Sequence, residues 1–147
     1  MKGNETLELA AQSSRMVEEL DLRELAAKHG ANNLLVWLRV EVRGQPVSEN
    51  LVTLVFPKEL PLADPEIQTT IAKTKNGFRV TLTANSPALW TWLTLKNTDA
   101  TCSDNFIHVR QGSPAKIDVK PARLMSKAEF ADALEIHSLF DTYTGQH

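Results

Sequence analysis

Two stretches of this chain alternate strictly between two kinds of side chain, and this alternation restricts the chain to a fold built from β-strands. Over residues 33–42, every even position is aliphatic. Over residues 89–96, leucine or threonine at the odd positions alternates with Trp90, Trp92 and two polar residues. Successive side chains of a β-strand point to opposite faces, so both stretches predict strands with two distinct faces. The chain is therefore predicted to be all-β.

Composition excludes a nucleic-acid-binding protein and an unfolded one. The chain has 147 residues, of which 42% are hydrophobic and 23% charged, as expected of one globular domain or two small ones. Sixteen Lys and Arg residues balance eighteen Asp and Glu residues. A nucleic-acid partner requires a clustered basic surface, so none is predicted.

The longest apolar run, residues 34–38, is too short to cross a bilayer, and no membrane partner is predicted. Residues 1–4 lack the apolar core of a signal peptide. A fragment of a longer protein would have lost such a signal, so the sequence predicts no compartment. Cys102 is the single cysteine, which excludes an intrachain disulfide.

Closely spaced prolines divide the chain into two parts. Pro57, Pro61 and Pro65 follow one another at intervals of four residues, and prolines at that density cannot lie within a β-ladder. We therefore predict a module over residues 1–60, a Pro-rich linker over 61–66 and a second module over 67–147.

Turn and cap signals predict the remaining elements. Asn76-Gly77 lies between alternating runs and predicts a hairpin with a type I′ turn. Asp21 and Ser126 are each followed three residues later by a glutamate, the spacing of a capping box, so two short helices are predicted. The predicted strands cover residues 6–10, 15–20, 33–42, 50–56, 67–73, 78–84, 89–96, 105–110, 115–120 and 135–140, with 105–110 and 115–120 forming a hairpin. Strands at this spacing are typical of a β-sandwich.

The most specific stretch is Ser103-Asp104-Asn105-Phe106, followed by a short strand, a Gly/Pro turn and a second strand. With Asp141-Thr142-Tyr143 near the end, it resembles the C-terminal immunoglobulin-like module of the β-mannosidases of glycoside hydrolase family 2. Residues 1–60 resemble the later half of the preceding immunoglobulin-like module, closing with Phe56-Pro57-Lys58-Glu59-Leu60. The resemblance implies an immunoglobulin-like β-sandwich, the preceding domains of a glycosidase as partners, and a parent enzyme that hydrolyses terminal β-mannosides.

No catalytic, metal or cofactor site is predicted within the chain. A retaining glycosidase needs two carboxyl groups about 5 Å apart. Glu18 and Glu19 are adjacent on a predicted strand and would point to opposite faces. The histidines lack the spacing of metal ligands, and no Gly-rich phosphate loop is present. The catalytic glutamates that the resemblance implies lie in a barrel outside this chain.

Trp90 and Trp92 are two residues apart, so both project from one face of their strand. The leucine face is the more regular apolar set, which favours outward tryptophans. With Tyr143 they are predicted to contact either another domain or a carbohydrate. Exposed aromatic patches most often mark protein interfaces, which favours the domain contact. The alternative is a stand-alone carbohydrate-binding or adhesion β-sandwich.

Residues 33–56 are predicted to mediate self-association. They resemble only the later strands of a sandwich, which leaves the aliphatic face of residues 33–42 without a covering layer. Apolar surface gains about 25 cal/mol per Å² when it leaves water, so such a face will be covered either by the same half of a second copy or by the chain's own terminal module, and the isolated fragment is expected to self-associate. A two-fold homodimer is the simplest arrangement.

Overall fold

A computed structural model describes residues 3–8 and 10–144. The chain forms two compact units, Met1–Glu59 and Leu60–His147, called unit 1 and unit 2 below. Each unit is described by itself.

Unit 1 is built around a single hairpin. Strand β1 pairs antiparallel with β2, and Leu38 lies opposite Asn50. The two-residue turn between them is Arg43-Gly44, where φ is 53° at Arg43 and 75° at Gly44. Two positive φ angles are the requirement of a type I′ turn, which matches the twist of the flanking strands. The elements of unit 1 are α1 Arg23–His29, β1 Leu35–Val42 and β2 Gln45–Thr53, with 3-10 turns at Ala31–Asn33 and Pro57–Glu59.

Several expectations for unit 1 are wrong. The strands predicted at 6–10 and 15–20 are absent from the described residues, with Leu9 lying outside them. Met16 is 82% exposed, so this segment has no buried face to hold a strand. The returning strand covers 45–53 rather than 50–56: it begins five residues earlier and ends three residues earlier, because the turn is shorter than predicted.

The helix predicted near Asp21 is present as α1, but its capping box is not. The N-cap residue is Leu22, which makes no side-chain cap bond. The Asp21 carboxylate instead accepts the backbone N–H of Arg23 at 3.0 Å and pairs with the Arg23 guanidinium. At the other end, Gly30 has the positive φ, 84°, expected of the residue that ends the helix.

Unit 2 consists of two antiparallel sheets, with strand orders β3-β4-β8-β6 and β7-β5-β9. The predicted all-β class is confirmed. Its elements are β3 Gln68–Thr74, β4 Gly77–Thr83, β5 Ala88–Leu95, β6 Ala100–Cys102, β7 Ile107–Val109, β8 Ala115–Pro121, α2 Lys127–Ala133, β9 Leu134–His137 and α3 Leu139–Thr144.

Both sheets of unit 2 contribute side chains to one core. Phe130 on α2 is fully buried and stacks on Phe78 of β4, with ring centroids 4.1 Å apart. Two buried polar side chains are satisfied: the Thr91 hydroxyl donates to the carbonyl of Ala88, and the Ser138 hydroxyl donates to the Asp141 carboxylate. The aliphatic core residues include Val80, Leu82, Ala88, Leu93, Val109, Ile117 and Val119.

The helix predicted after Ser126 is confirmed with its capping box. The Ser126 hydroxyl accepts the N–H of Glu129 at 3.2 Å, and the Glu129 carboxylate accepts the N–H of Ser126 at 2.7 Å. The bond to the Ser126 backbone N–H is the main reason that the pKa of Glu129 is lowered. These two bonds satisfy donors that would otherwise lack partners at the start of α2.

Three local expectations for unit 2 are wrong. Residues 105–110 and 115–120 do not form a hairpin, because β7 and β8 belong to different sheets. In the β3–β4 hairpin Thr74 pairs with Gly77, so the turn residues are Lys75 and Asn76, and neither has the positive φ of a type I′ turn. The closing strand ends at His137, and α3 follows it, a third helix in addition to the two predicted.

Candidate functional site

A β-bulge in β5 shapes the outer surface of the three-stranded sheet. Ala88 pairs with Val109 and Thr91 with Ile107, so two residues of β5 lie opposite one residue of β7. One of the two is Trp90, whose φ is 46°. A positive φ at a bulky residue is uncommon and costs roughly 1–3 kcal/mol, so the surroundings must hold this conformation in place.

His108, the residue opposite the bulge, binds it through its side chain. The backbone N–H of Trp90 donates to His108 Nδ1 at 3.1 Å, and the two rings meet edge to face with centroids 5.0 Å apart. Burial lowers the pKa of His108, which favours the neutral ring. The neutral form is the one required, because a protonated Nδ1 has no lone pair to accept this bond.

Beside the bulge, Phe106, Trp92 and His137 form a row of stacked rings. Trp92 and His137 are directly paired across β5 and β9, and their ring centroids are 5.2 Å apart. Phe106 immediately precedes β7, on the opposite side of β5, and its ring lies 5.8 Å from that of Trp92. Trp92 therefore has a stacked ring beside it on each side of its strand.

We call the surface formed by these side chains the aromatic face. Its members are Trp90, Trp92, Phe106, His108 and His137. The alternate positions of β5 point inward: Leu89 and Thr91 are fully buried, and Leu93 is 4% exposed. Trp90 and Trp92 are each half-buried, whereas Phe106 is 62% exposed.

The segment Ser103-Asp104-Asn105-Phe106 carries the chain from one sheet to the other. The N–H of Ser103 donates to the carbonyl of Asp118 at 2.8 Å, and the Ser103 hydroxyl accepts the N–H of Asp118 at 2.9 Å. This pair of bonds attaches the start of the segment to β8. Asp104 acts locally, because its carboxylate accepts the N–H of Asn105 at 2.8 Å.

Asn105 attaches the end of the same segment to β5. Its amide oxygen accepts the N–H of Leu93 at 2.9 Å, and its amide nitrogen donates to the carbonyl of Leu93 at 3.2 Å. The side chain thus makes the two bonds that a neighbouring strand would make. Phe106, held next in the chain with φ 55°, is thereby placed against Trp92. The segment positions the aromatic row.

Tyr143, the third predicted contact residue, lies on α3 and is 42% exposed. The helix α3 packs against β5, the strand that carries both tryptophans. Burial raises the pKa of the Tyr143 hydroxyl. The role predicted for Trp90, Trp92 and Tyr143 in contacting a domain or a sugar remains a prediction.

Sequence reasoning missed His108 and His137 as members of the aromatic face. Phe106 and His108 are two residues apart, which already places both on one side of a strand. The contact with His137 has no such signal, because it depends on β9 pairing with β5, which brings together two residues 45 positions apart in the chain. The strand order of a sheet is not readable from alternation alone.

An ion pair between Arg79 and Asp118 joins β4 to β8. Asp118 forms a two-point ion pair with Arg79 at 2.7 and 2.8 Å, and this bonding lowers the pKa of Asp118. Burial raises the pKa of the Cys102 thiol, which opposes a role as nucleophile.

Within residues 3–8 and 10–144, no group of three or more His, Cys, Asp or Glu side chains could hold a metal ion. No helix in that part of the chain is long and apolar enough to cross a membrane.

Comparison with known families agrees with two antiparallel sheets sharing one core. Residues 62–142 match the family model Ig_mannosidase, described as an Ig-fold domain, and the chain belongs to this family. Residues 2–59 match a second model, the Mannosidase Ig/CBM-like domain. Both domains are found in the C-terminal region of β-mannosidase-like glycoside hydrolases, so the chain is an immunoglobulin-like accessory region of mannosidase-type glycosidases. No curated protein matches the chain.

Proposed function

We propose that this chain is the non-catalytic C-terminal part of a family 2 glycoside hydrolase. In this role it packs against the preceding domains and supports the catalytic barrel that hydrolyses terminal β-mannosides. Two family matches support the proposal, because both describe domains of mannosidases and together they include residues 2–59 and 62–142.

The observation that carries the proposal is the stacking of Trp92. A sugar ring binds to a tryptophan by lying on an open ring face, and the Phe106 and His137 rings stacked beside Trp92 compete for that position. A surface of partly exposed aromatic side chains suits packing against another protein domain, where aromatic residues are enriched. The stacking of Trp92 therefore supports a contact between the aromatic face and another domain.

A carbohydrate-binding β-sandwich is the second candidate, and one observation favours it. Phe106 is 62% exposed at the end of the aromatic row, where one side of its ring faces away from Trp92. That side offers an apolar platform to a pyranose ring. The two candidates differ in whether the isolated chain binds sugar.

The first experiment measures binding and turnover by the purified chain. We expect no heat on titration with mannose or mannobiose, and no release of phenol from an aryl β-mannoside. Heat that disappears in Phe106→Ala would favour the carbohydrate-binding candidate. Turnover that survives purification to homogeneity would contradict the non-catalytic role.

The second experiment uses the full-length glycosidase that contains the chain. Trp92→Ala should lower the temperature at which hydrolysis is lost while leaving KM unchanged, because it removes a packing contact and no substrate contact. Leu124→Ala is the matched control, since Leu124 is 100% exposed in the same unit. A raised KM with unchanged heat resistance would contradict the supporting role.

A further inference from the structure

We propose that Asn76 is a site of spontaneous deamidation, at which the backbone nitrogen of Gly77 displaces the side-chain amide. Asn76 lies in the two-residue turn between β3 and β4 and is exposed. In the part of the chain that the structure describes, its side chain makes no hydrogen bond that would hold it away from the backbone. The proposal concerns unit 2 alone and does not depend on the function proposed above.

The reaction needs only water and a base from solution. The base removes the proton from the N–H of Gly77, and the nitrogen attacks the side-chain carbonyl carbon, Cγ, of Asn76. A bond forms between this nitrogen and Cγ, the bond from Cγ to the side-chain nitrogen breaks, and ammonia leaves. The product is a succinimide ring. Water then opens the ring at one of its carbonyls, which gives aspartate or isoaspartate at position 76.

Glycine at position 77 leaves the attacking nitrogen uncrowded, because glycine has no Cβ. Thr74 pairs with Gly77 as the last pair of the β3–β4 ladder. The N–H of Gly77 therefore becomes available when this end of the hairpin opens locally. Local openings at the end of an element cost much less free energy than global unfolding.

The turn borders a cleft whose charges favour the anionic steps. The cleft is lined by three cations and one carboxylate, Lys75, Arg79, Lys120 and Asp118. Arg79 and Asp118 pair with each other, whereas neither lysine has an ion-pair partner among the described residues. The deprotonated nitrogen and the oxyanion that forms at Cγ are both negative, so nearby cations lower the barrier to ring closure.

Other asparagines of unit 2 are held in place by hydrogen bonds. Asn85 precedes a serine, and its side-chain amide nitrogen donates to the carboxylate of Glu66 at 2.5 Å. The side chain of Asn105 bonds through both its oxygen and its nitrogen to the backbone of Leu93. Asn76 is therefore expected to react before either of them.

Isoaspartate at position 76 would disturb the sheet where it has little room. The backbone of isoaspartate runs through the side chain, which inserts one carbon before Gly77. A Cβ added to Gly77 would already lie 2.3 Å from the carbonyl oxygen of Val119, so the strands leave no space for a shift. The inserted carbon should displace the pairing of β4 with β8, in which Phe78 lies opposite Val119. Aspartate, by contrast, adds a charge but no backbone atom.

Peptide mapping of the whole chain after incubation at mildly alkaline pH tests the site. Mass spectrometry detects the gain of about one dalton, and an isoaspartyl methyltransferase detects isoaspartate. We expect position 76 to convert at least about tenfold faster than Asn85. Conversion no faster than at Asn85 would overturn the proposal.

A double variant, Lys75→Gln with Lys120→Gln, tests the contribution of the cleft. Because both lysines are exposed and screened by solvent, we expect conversion to slow by about threefold, and added salt should slow the wild-type chain in the same direction. An unchanged melting temperature shows that this variant is folded. An unchanged rate would overturn the role of the cations.

The melting temperature of the incubated chain tests the effect on the sheet. The incubated wild-type chain should lose several degrees. Asn76→Gln is the matched control, because its longer side chain would have to close a larger ring, and it should lose nothing on incubation. Freshly purified Asn76→Asp should melt like the fresh wild-type chain, since it carries the charge without the extra backbone carbon. An equal loss in incubated Asn76→Gln would overturn the effect on the pairing of β4 with β8.

Discussion

Unit 1 and unit 2 begin from the same sequence pattern and reach different degrees of burial. In unit 2, the inward face of β5 is covered by a second sheet, and Leu89 is fully buried. In unit 1, none of the described residues is buried, and Val40 on the aliphatic face of β1 remains 56% exposed. Alternation thus produces a strand in both units, but a core requires a second layer to cover it.

The same difference separates the two units in stability. A two-stranded hairpin without a covering layer is marginal in water, whereas packed sheets with a shared core unfold cooperatively. We therefore expect the main unfolding transition of the chain to report unit 2. Matched substitutions in the two units test this expectation.

The largest effect is expected from the core of unit 2. Phe130→Ala removes a fully buried ring that stacks on Phe78 and should lower the free energy of unfolding by about 3–5 kcal/mol. Leu38→Ala in unit 1 should change it by less than about 0.5 kcal/mol, since that side chain is 45% exposed. Denaturant titration measures both. Similar losses from the two changes would show that unit 1 has a core of its own.

A smaller effect is expected at the β3–β4 turn. A Cβ added to Gly77 would lie 2.3 Å from the carbonyl oxygen of Val119, so Gly77→Val must displace the backbone of β8. We expect a loss of about 1–3 kcal/mol in thermal unfolding. Gly3→Val in unit 1 meets nothing within 4 Å and should be neutral. If Gly77→Val left the melting temperature unchanged, the pairing of β3, β4 and β8 would be wrong.

A smaller difference in stability loss is expected between substitutions at the starts of α1 and α2. Ser126→Ala removes one of the two bonds of the capping box of α2 and should cost about 1 kcal/mol. Asp21→Ala precedes α1, whose N-cap residue makes no side-chain bond, and it removes only an exposed ion pair, so it should cost less than Ser126→Ala. Chemical denaturation followed by circular dichroism compares them. An equal or larger loss from Asp21→Ala would contradict the difference between the units.

The smallest expected effect is a pH dependence at the bulge of β5. Because burial lowers the pKa of His108 below 6.5, the unfolded chain takes up a proton there before the folded chain does. The stabilising contribution is present above about pH 6.5 and is lost as the pH falls through the lower, folded pKa. His108→Asn keeps an acceptor for the N–H of Trp90 and should flatten this slope.

His29→Asn is the matched control for the pH experiment, because His29 is exposed on α1 of unit 1. In His29→Asn, the dependence of the melting temperature on pH should match that of the wild-type chain. An unchanged slope in His108→Asn would indicate that the imidazole does not hold the bulge in its neutral form.

Local signals predicted the fold well where a single segment determines the structure. The alternation of residues 33–42 and 89–96 correctly predicted β1 and β5. The spacing of Ser126 and Glu129 correctly predicted a capping box, and both of its bonds are present. The type I′ turn was predicted at Asn76-Gly77 but occurs at Arg43-Gly44, where an arginine takes a positive φ. Residue preference alone did not identify that turn, because the two-residue loop follows from the pairing of β1 with β2.

The aromatic face was only partly predictable, because its members come from three strands. Because Trp90 and Trp92 are two residues apart, the sequence placed them on one face of their strand. The stacking of Trp92 with Phe106 and His137 depends instead on the strand order β7-β5-β9. The sequence segment before β7 was recognised, yet it was expected to lead into a hairpin. Asn105 instead bonds to Leu93 and brings the chain beside β5, a long-range contact without a local signal.

Hydrogen exchange measured separately over the two units tests the central contrast most directly. At a concentration where the chain is monomeric, we expect amides of β4, β5 and β8 to exchange only through global unfolding, and those of β1 and β2 to exchange orders of magnitude faster. Equal protection of β1 and β5 in the monomer would contradict the account, because it would require a buried core in unit 1.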